Sequence, residues 1–71
     1  MEEILDRCRI QTWHHGNTTE ILIACSNRDF ALLVRGRKEI PQILALDKAK
    51  VTLSCDERVT SFDVVGQRIQ C

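Results

Sequence analysis

Apolar and polar residues alternate most regularly late in the chain, where Val51, Leu53 and Cys55 fall on one face and Lys50, Thr52 and Ser54 on the other. Successive side chains of an extended chain point to opposite faces, so this period of two predicts a half-buried strand. A polar break at Asp56-Glu57-Arg58 ends it. A second β-prone segment, a turn at Gly66 and a last short strand then follow. Near the start, Cys8, Ile10 and Thr12 alternate with Arg7, Arg9 and Gln11, the pattern of an antiparallel strand with one solvated face. Met1 to Asp6 is helix-prone but too short to hold a helical turn without packing.

The turn residues divide the rest. Gly16 and Asn17 follow His14-His15 and tolerate positive φ, which predicts a hairpin. Thr18 to Cys25 then reads as a strand whose continuous apolar end, Ile21 to Cys25, calls for burial on both faces. Ser26-Asn27-Arg28-Asp29 is a second turn cluster, dense in residues that bond their own backbone. Phe30 to Arg37 reads as a third strand, with Phe30, Leu32 and Val34 on one side and Gly36 as a bulge or strand end. Pro41 restricts Ile40 to extended geometry. Ile43, Leu44 and Leu46 form either one helical turn or a loop plugging the end of a barrel. About five or six short strands joined by turns predict a small barrel or sandwich.

With 71 residues, the chain is a single domain with a thin core. Ten basic and ten acidic residues cancel, which argues against a dedicated nucleic-acid binder, since those carry a basic excess. Only Trp13, Phe30 and Phe62 offer aromatic surface for base stacking. No apolar run approaches a membrane span, and the acidic Met1-Glu2-Glu3 start lacks the pattern of a signal peptide. The four cysteines, Cys8, Cys25, Cys55 and Cys71, show no C-x-x-C spacing. Cys25 and Cys55 close apolar runs, where a free thiol acts as a small hydrophobe, so reduced thiols and a cytoplasmic location are expected.

Val51-Thr52-Leu53-Ser54 with Asp56, then Phe62-Asp63 and Gly66-Gln67-Arg68-Ile69, resemble the end of the transport-associated OB-fold (TOBE) domain found at the C-terminus of ABC-importer ATPase subunits of the polyamine and sugar type. The stretch from Ile10 to Ile23 is similar to that family's first hairpin, and Leu32-Leu33-Val34-Arg35 would be its third strand. Leu46-Asp47-Lys48-Ala49 lacks the glycine usual before the fourth strand, and Cys55 stands where a larger residue is common. The resemblance implies an all-β, OB-like antiparallel barrel spanning residues 1–71. It also implies a non-catalytic accessory or regulatory role, with a homodimer, an ABC-transporter ATPase subunit or a small solute as partner. Any membrane association would be indirect, through a transporter at the inner face.

The chemistry-bearing residues are few. None of the three glycines heads a phosphate-binding G-x-x-x-x-G-K-[ST] loop, so the chain does not itself hydrolyse ATP. His14 and His15 are neighbours on an extended chain and point to opposite faces, a poor arrangement for one metal ion. Cys8 lies between Arg7 and Arg9 but has no histidine beside it in sequence, so a structural thiol is the expectation. Catalytic, cofactor and metal sites are therefore not expected. Arg35, Arg37 and Lys38 beside Gly36 are the candidate contact for an anion or partner, in competition with pairing to Glu39 and Asp29. A stand-alone small-barrel regulator that binds RNA or a nucleic-acid-processing protein and a small-oxyanion-binding protein are the alternative functions.

Overall fold

The computed structural model describes residues 1–70, and Cys71 lies outside the described residues. A short helix α1 (Glu2–Asp6) leads into the strands β1 (Arg9–His15) and β2 (Thr18–Ala24). Gly16, with φ of 60°, takes the first central position of the turn between them, the type II′ geometry whose twist suits a two-residue hairpin. The hairpin is thus as the sequence predicts, but all seven residues of β1 are exposed, so the half-buried face expected of this strand does not form at the sheet's edge.

After β2 the chain departs from the barrel expectation. Asn27–Arg35 is a helix, α2, where a third strand was expected from Phe30. The serine and aspartate of the expected turn are its start: the Ser26 hydroxyl accepts from the Asp29 backbone N–H at 3.2 Å, capping an orphan donor of the first turn. A short 3-10 turn (Arg37–Glu39) and one turn of helix, α3 (Ile40–Ile43), follow. This stretch thus holds one helical turn, but earlier than expected: Ile43 ends it, Leu44 caps it and Leu46 lies beyond it. Ile40 is helical (φ −57°, ψ −47°) despite preceding Pro41. Both residues are buried, and Pro41 stands in the first turn, where its missing N–H costs no hydrogen bond.

The remaining strands are β3 (Lys48–Ser54), β4 (Val59–Val65) and β5 (Arg68–Gln70). The sheet order is β1-β2-β3-β4-β5, with β2 and β3 parallel and the other neighbours antiparallel. A parallel pair needs a crossover between its strands, and α2 to α3 supply it. The strands expected on either side of the crossover form, but the sheet is mixed and open, and β2 buries Ile21 and Ile23 on one face, with Leu22 and Ala24 half-buried on the other rather than buried as expected. An antiparallel barrel is excluded by the helical crossover and by the unpaired outer edges of β1 and β5.

Register places Thr12, Ile21, Val51 and Phe62 in one row across four strands, and Ile10, Ile23, Leu53 and Thr60 in the next. Ile21, Ile23, Ala49, Val51, Leu53 and Val64 on this face are buried with Leu5, Phe30, Leu33 and Ile40. Helices therefore cover one face of the sheet, and Trp13, Glu20, Lys50 and Asp63 cross the other in register. Arg58 caps the core rim, its guanidinium 4.6 Å from the centre of the Phe30 ring.

One ion pair ties the first helix to the crossover. Arg7 Nη2 donates to Asp29 Oδ1 at 2.8 Å and Nε to Oδ2 at 3.4 Å. The bond to Arg7 holds the buried Asp29 carboxyl below the usual carboxylate range. A depressed folded pKa contributes stability that is present above the unfolded value and lost as pH falls through the folded one. The protein is therefore expected to lose stability on acidification below about pH 4. Arg7→Ala should move the acid-unfolding midpoint, followed by far-UV circular dichroism, to higher pH. An unchanged midpoint would show that Asp29 is not held by Arg7.

Candidate anion-binding cleft

Three cations meet where the crossover approaches the last hairpin. Arg37 and Lys38 come from the 3-10 turn, Gln42 from α3, and Gln67, Arg68 and Ile69 from the β4–β5 turn and β5. Together they line a cleft of about 300 Å³ without a carboxylate. The turn is built locally. Gly66 (φ 60°) and Gln67 (φ 63°) both adopt left-handed backbone, the type I′ geometry that reverses the chain in two residues. The Gly66 N–H donates to the Asp47 carbonyl at 2.7 Å, fixing the turn against the start of β3. On the opposite wall, Arg37 Nη1 donates to the Val34 carbonyl at 2.9 Å, a favourable place for a cation at a helix C-terminus.

The sequence-predicted anion residues separate in the structure. Arg37 and Lys38 line the cleft, whereas Arg35 is exposed at the end of α2 and does not. The expected pairing of this segment with Asp29 does not form, because Asp29 is taken by Arg7. Among the described residues, Arg7 pairs with Asp29 and His15 Nε2 lies 3.3 Å from Glu20 Oε2, so neither Arg37, Lys38 nor Arg68 is neutralised by a carboxylate. Arg68 and the two glutamines were not among the predicted contacts. The glycine turn that carries Arg68 is visible in sequence, but its position beside Arg37 depends on the crossover.

A larger groove, of about 510 Å³, lies between the β1–β2 hairpin and the Leu44–Lys48 segment. Asp47 and Lys48 offset one another there, and His14 Nδ1 already lies 3.3 Å from Thr19 Oγ1. The groove thus presents no excess of one charge. His15 lies against Glu20 instead, so the two adjacent imidazoles do serve opposite sides of the strand. Cys8, Cys25 and Cys55 are half-buried thiols against the core. Burial pushes Cys8 upward and Cys25 up to about 11, the reverse of an activated nucleophile. Among the described residues, no three metal-ligating side chains converge and no helix is long and apolar enough to cross a membrane.

Protein-family models, characterised proteins and solved structures yield no match to this chain.

Proposed function

We propose that the chain is a non-catalytic binding domain whose ligand is a small oxyanion, or a solute bearing one, held between Arg37, Lys38 and Arg68. The observation that supports this reading is the convergence of three unneutralised cations and two side-chain amides on a cleft free of carboxylates. Guanidinium groups suit tetrahedral and planar oxyanions because their N–H donors form a planar fork. The cleft of about 300 Å³ has room for an anion of phosphate size. An RNA ligand is disfavoured because Phe30 is buried and Phe62 lies on the helix side, leaving Trp13 as the exposed aromatic. The accessory role beside a transporter ATPase rests on the likeness of residues 50–69 to TOBE endings, and the open mixed sheet adds nothing to it. The test is a titration with inorganic phosphate, sulfate and molybdate, followed through side-chain nuclear resonances. Saturable shifts of Gln42, Gln67 and the arginine Nε groups are expected, and shifts scattered over all surface cations would sink the proposal.

A second reading, self-association, is supported by the free edge of β1. In a two-residue hairpin the closing pair His15–Thr18 is hydrogen-bonded, and alternation then turns the N–H groups of Ile10, Thr12 and His14 outward. An exposed strand without proline or bulge is a template for a second copy. Antiparallel self-pairing centred on Thr12 would give a continuous ten-stranded sheet, twice the observed five. Sedimentation equilibrium is expected to show a dimer, and Thr12→Pro, which removes an outward N–H only, should return it to monomer. A wild-type monomer at high concentration would refute this reading.

A further inference from the structure

Three cysteines distant in sequence stand in one row at the end of the sheet. The β1–β2 ladder ends at Arg9 opposite Ala24, and the β2–β3 ladder at Ala24 beside Ser54. One further step of the same register sets Cys8 opposite Cys25 and Cys25 beside Cys55. Backbone bonds continue to that step: Cys25 N–H donates to the Ser54 carbonyl at 2.9 Å, and Cys55 N–H to the Arg58 carbonyl at 2.9 Å. The parity of the strands puts all three thiols on the helix side with Ile10, Ile23 and Leu53, and each packs against the core while staying half-buried.

The Cys8–Cys25 pair has the backbone geometry that a cross-strand disulfide needs. Cys8 N–H is committed to the Leu5 carbonyl at 3.1 Å and Cys25 N–H to Ser54, so the two residues do not exchange amide bonds. A non-hydrogen-bonded antiparallel pair brings its Cα atoms to about 4.5 Å, inside the roughly 4.4–6.8 Å that a disulfide spans. Continued register sets the two thiols on the same face of neighbouring strands. Cys8 Sγ also lies 3.1 Å from the Ile4 carbonyl, and Cys25 Sγ 3.4 Å from that of Ser54, so both side chains are held in place.

From this row we infer that Cys8 and Cys25 are a reversible dithiol site that takes small-molecule disulfides as its oxidant. The thiolate of Cys25 attacks one sulfur of oxidised glutathione, forming a mixed disulfide and releasing one glutathione. The thiolate of Cys8 then attacks the Cys25 sulfur and expels the second. Two protein thiols are oxidised by two electrons, one glutathione disulfide is reduced, and both protons end on the glutathione thiols. The product clamps the α1–β1 junction to the end of β2, next to the Arg7–Asp29 pair, and cross-links the N-terminal turn to the sheet.

The experiment uses the full chain, folded, with oxidised glutathione, then alkylation and peptide mapping. The expected product is a Cys8–Cys25 linkage lighter by two hydrogens, with Cys55 alkylated and the linkage reversed by dithiothreitol. Thermal unfolding of the oxidised form should shift upward, because the cross-link restricts the unfolded chain. Burial of both thiols makes the reaction slow at neutral pH and keeps its rate rising beyond pH 9.0, the ordinary thiol value. Cys55→Ser should leave the linkage intact, whereas Cys8→Ser should stop at the mixed disulfide. Linkage between other cysteines in the folded wild type, or stable glutathione adducts without a Cys8–Cys25 bond, would overturn the inference.

Discussion

Replacing Leu33 by alanine should cost the protein about 2–5 kcal/mol, whereas the same change at Leu32 should cost about 0.5 kcal/mol or less. Leu33 is completely buried, in one cluster with Ile21, Ile23, Val51 and Leu53. Truncation removes its transfer free energy and leaves a cavity between α2 and the sheet. Leu32, 38% exposed, projects from the outer face of the helix, and alanine there gains slightly in helix propensity. A domain of 71 residues has a stability of about 4–10 kcal/mol in total. Leu33→Ala therefore consumes a large fraction of it, with a melting-temperature drop of roughly 10 °C or more. Urea unfolding of the two variants measures the contrast. The pair also separates helix from strand: were Phe30 to Arg37 a strand, Leu32 would share the buried face with Phe30 and Val34, and the order of the costs would reverse.

That segment shows why the fold was legible in part. The hairpin around Gly16, the alternation of Val51, Leu53 and Cys55, and the closing turn at Gly66 each depend on local periodicity or left-handed backbone. All three appear where the sequence predicts them. Between Phe30 and Val34, however, all four residues besides Ala31 are large and apolar, so spacings of two and of three to four are satisfied together. The deciding signals lay outside the apolar run. Ser26 and Asp29 stand at the cap and third position of a helix start, Arg35 in its last turn and Gly36 at its C-cap. As a turn, the first pair would make the connection short and antiparallel. As a helix it is long enough to cross over, and β3 returns parallel to β2.

The same crossover determines how much of the cleft could be read from sequence. Arg35, Arg37 and Lys38 form a basic run, but a linear run does not say which side chains converge. On a strand, Arg35 and Arg37 would share a face. In the structure α2 ends at Arg35 and the 3-10 turn begins at Arg37, so the chain changes direction at Gly36 and the two arginines part. Arg68 joins Arg37 through tertiary folding alone: the Asp47 carbonyl anchors the Gly66 turn, and Asp47 follows directly from α3 through Ala45, which takes a left-handed φ of 54°. Leu46 N–H donates to the Pro41 carbonyl at 2.8 Å and stabilises that helix end. No local pattern places residues 37 and 68 together.

Arg68→Ser and Arg37→Ser should therefore each weaken phosphate binding by about tenfold or more, while Arg35→Ser leaves it within about twofold. A hydrogen bond between charged partners contributes roughly 1.5–3 kcal/mol, and about 1.4 kcal/mol is tenfold in affinity. Arg68 and Arg37 face one cleft from opposite walls, so each loss removes a charge and its donors from the same ligand. Arg35 retains its charge effect only at longer range, where salt screens it within about 10 Å. All three residues are exposed, so the substitutions should cost little stability, Arg37→Ser the most because it also removes the bond to the Val34 carbonyl, and the comparison reports binding. Arg68→Lys discriminates further: a point charge keeps the attraction but lacks the planar fork, and binding should fall between wild type and serine. Isothermal titration at low and moderate salt measures the series. Equal losses at positions 35, 37 and 68 would mean that the ligand feels only the general basic surface, and the cleft would lose its standing as a site.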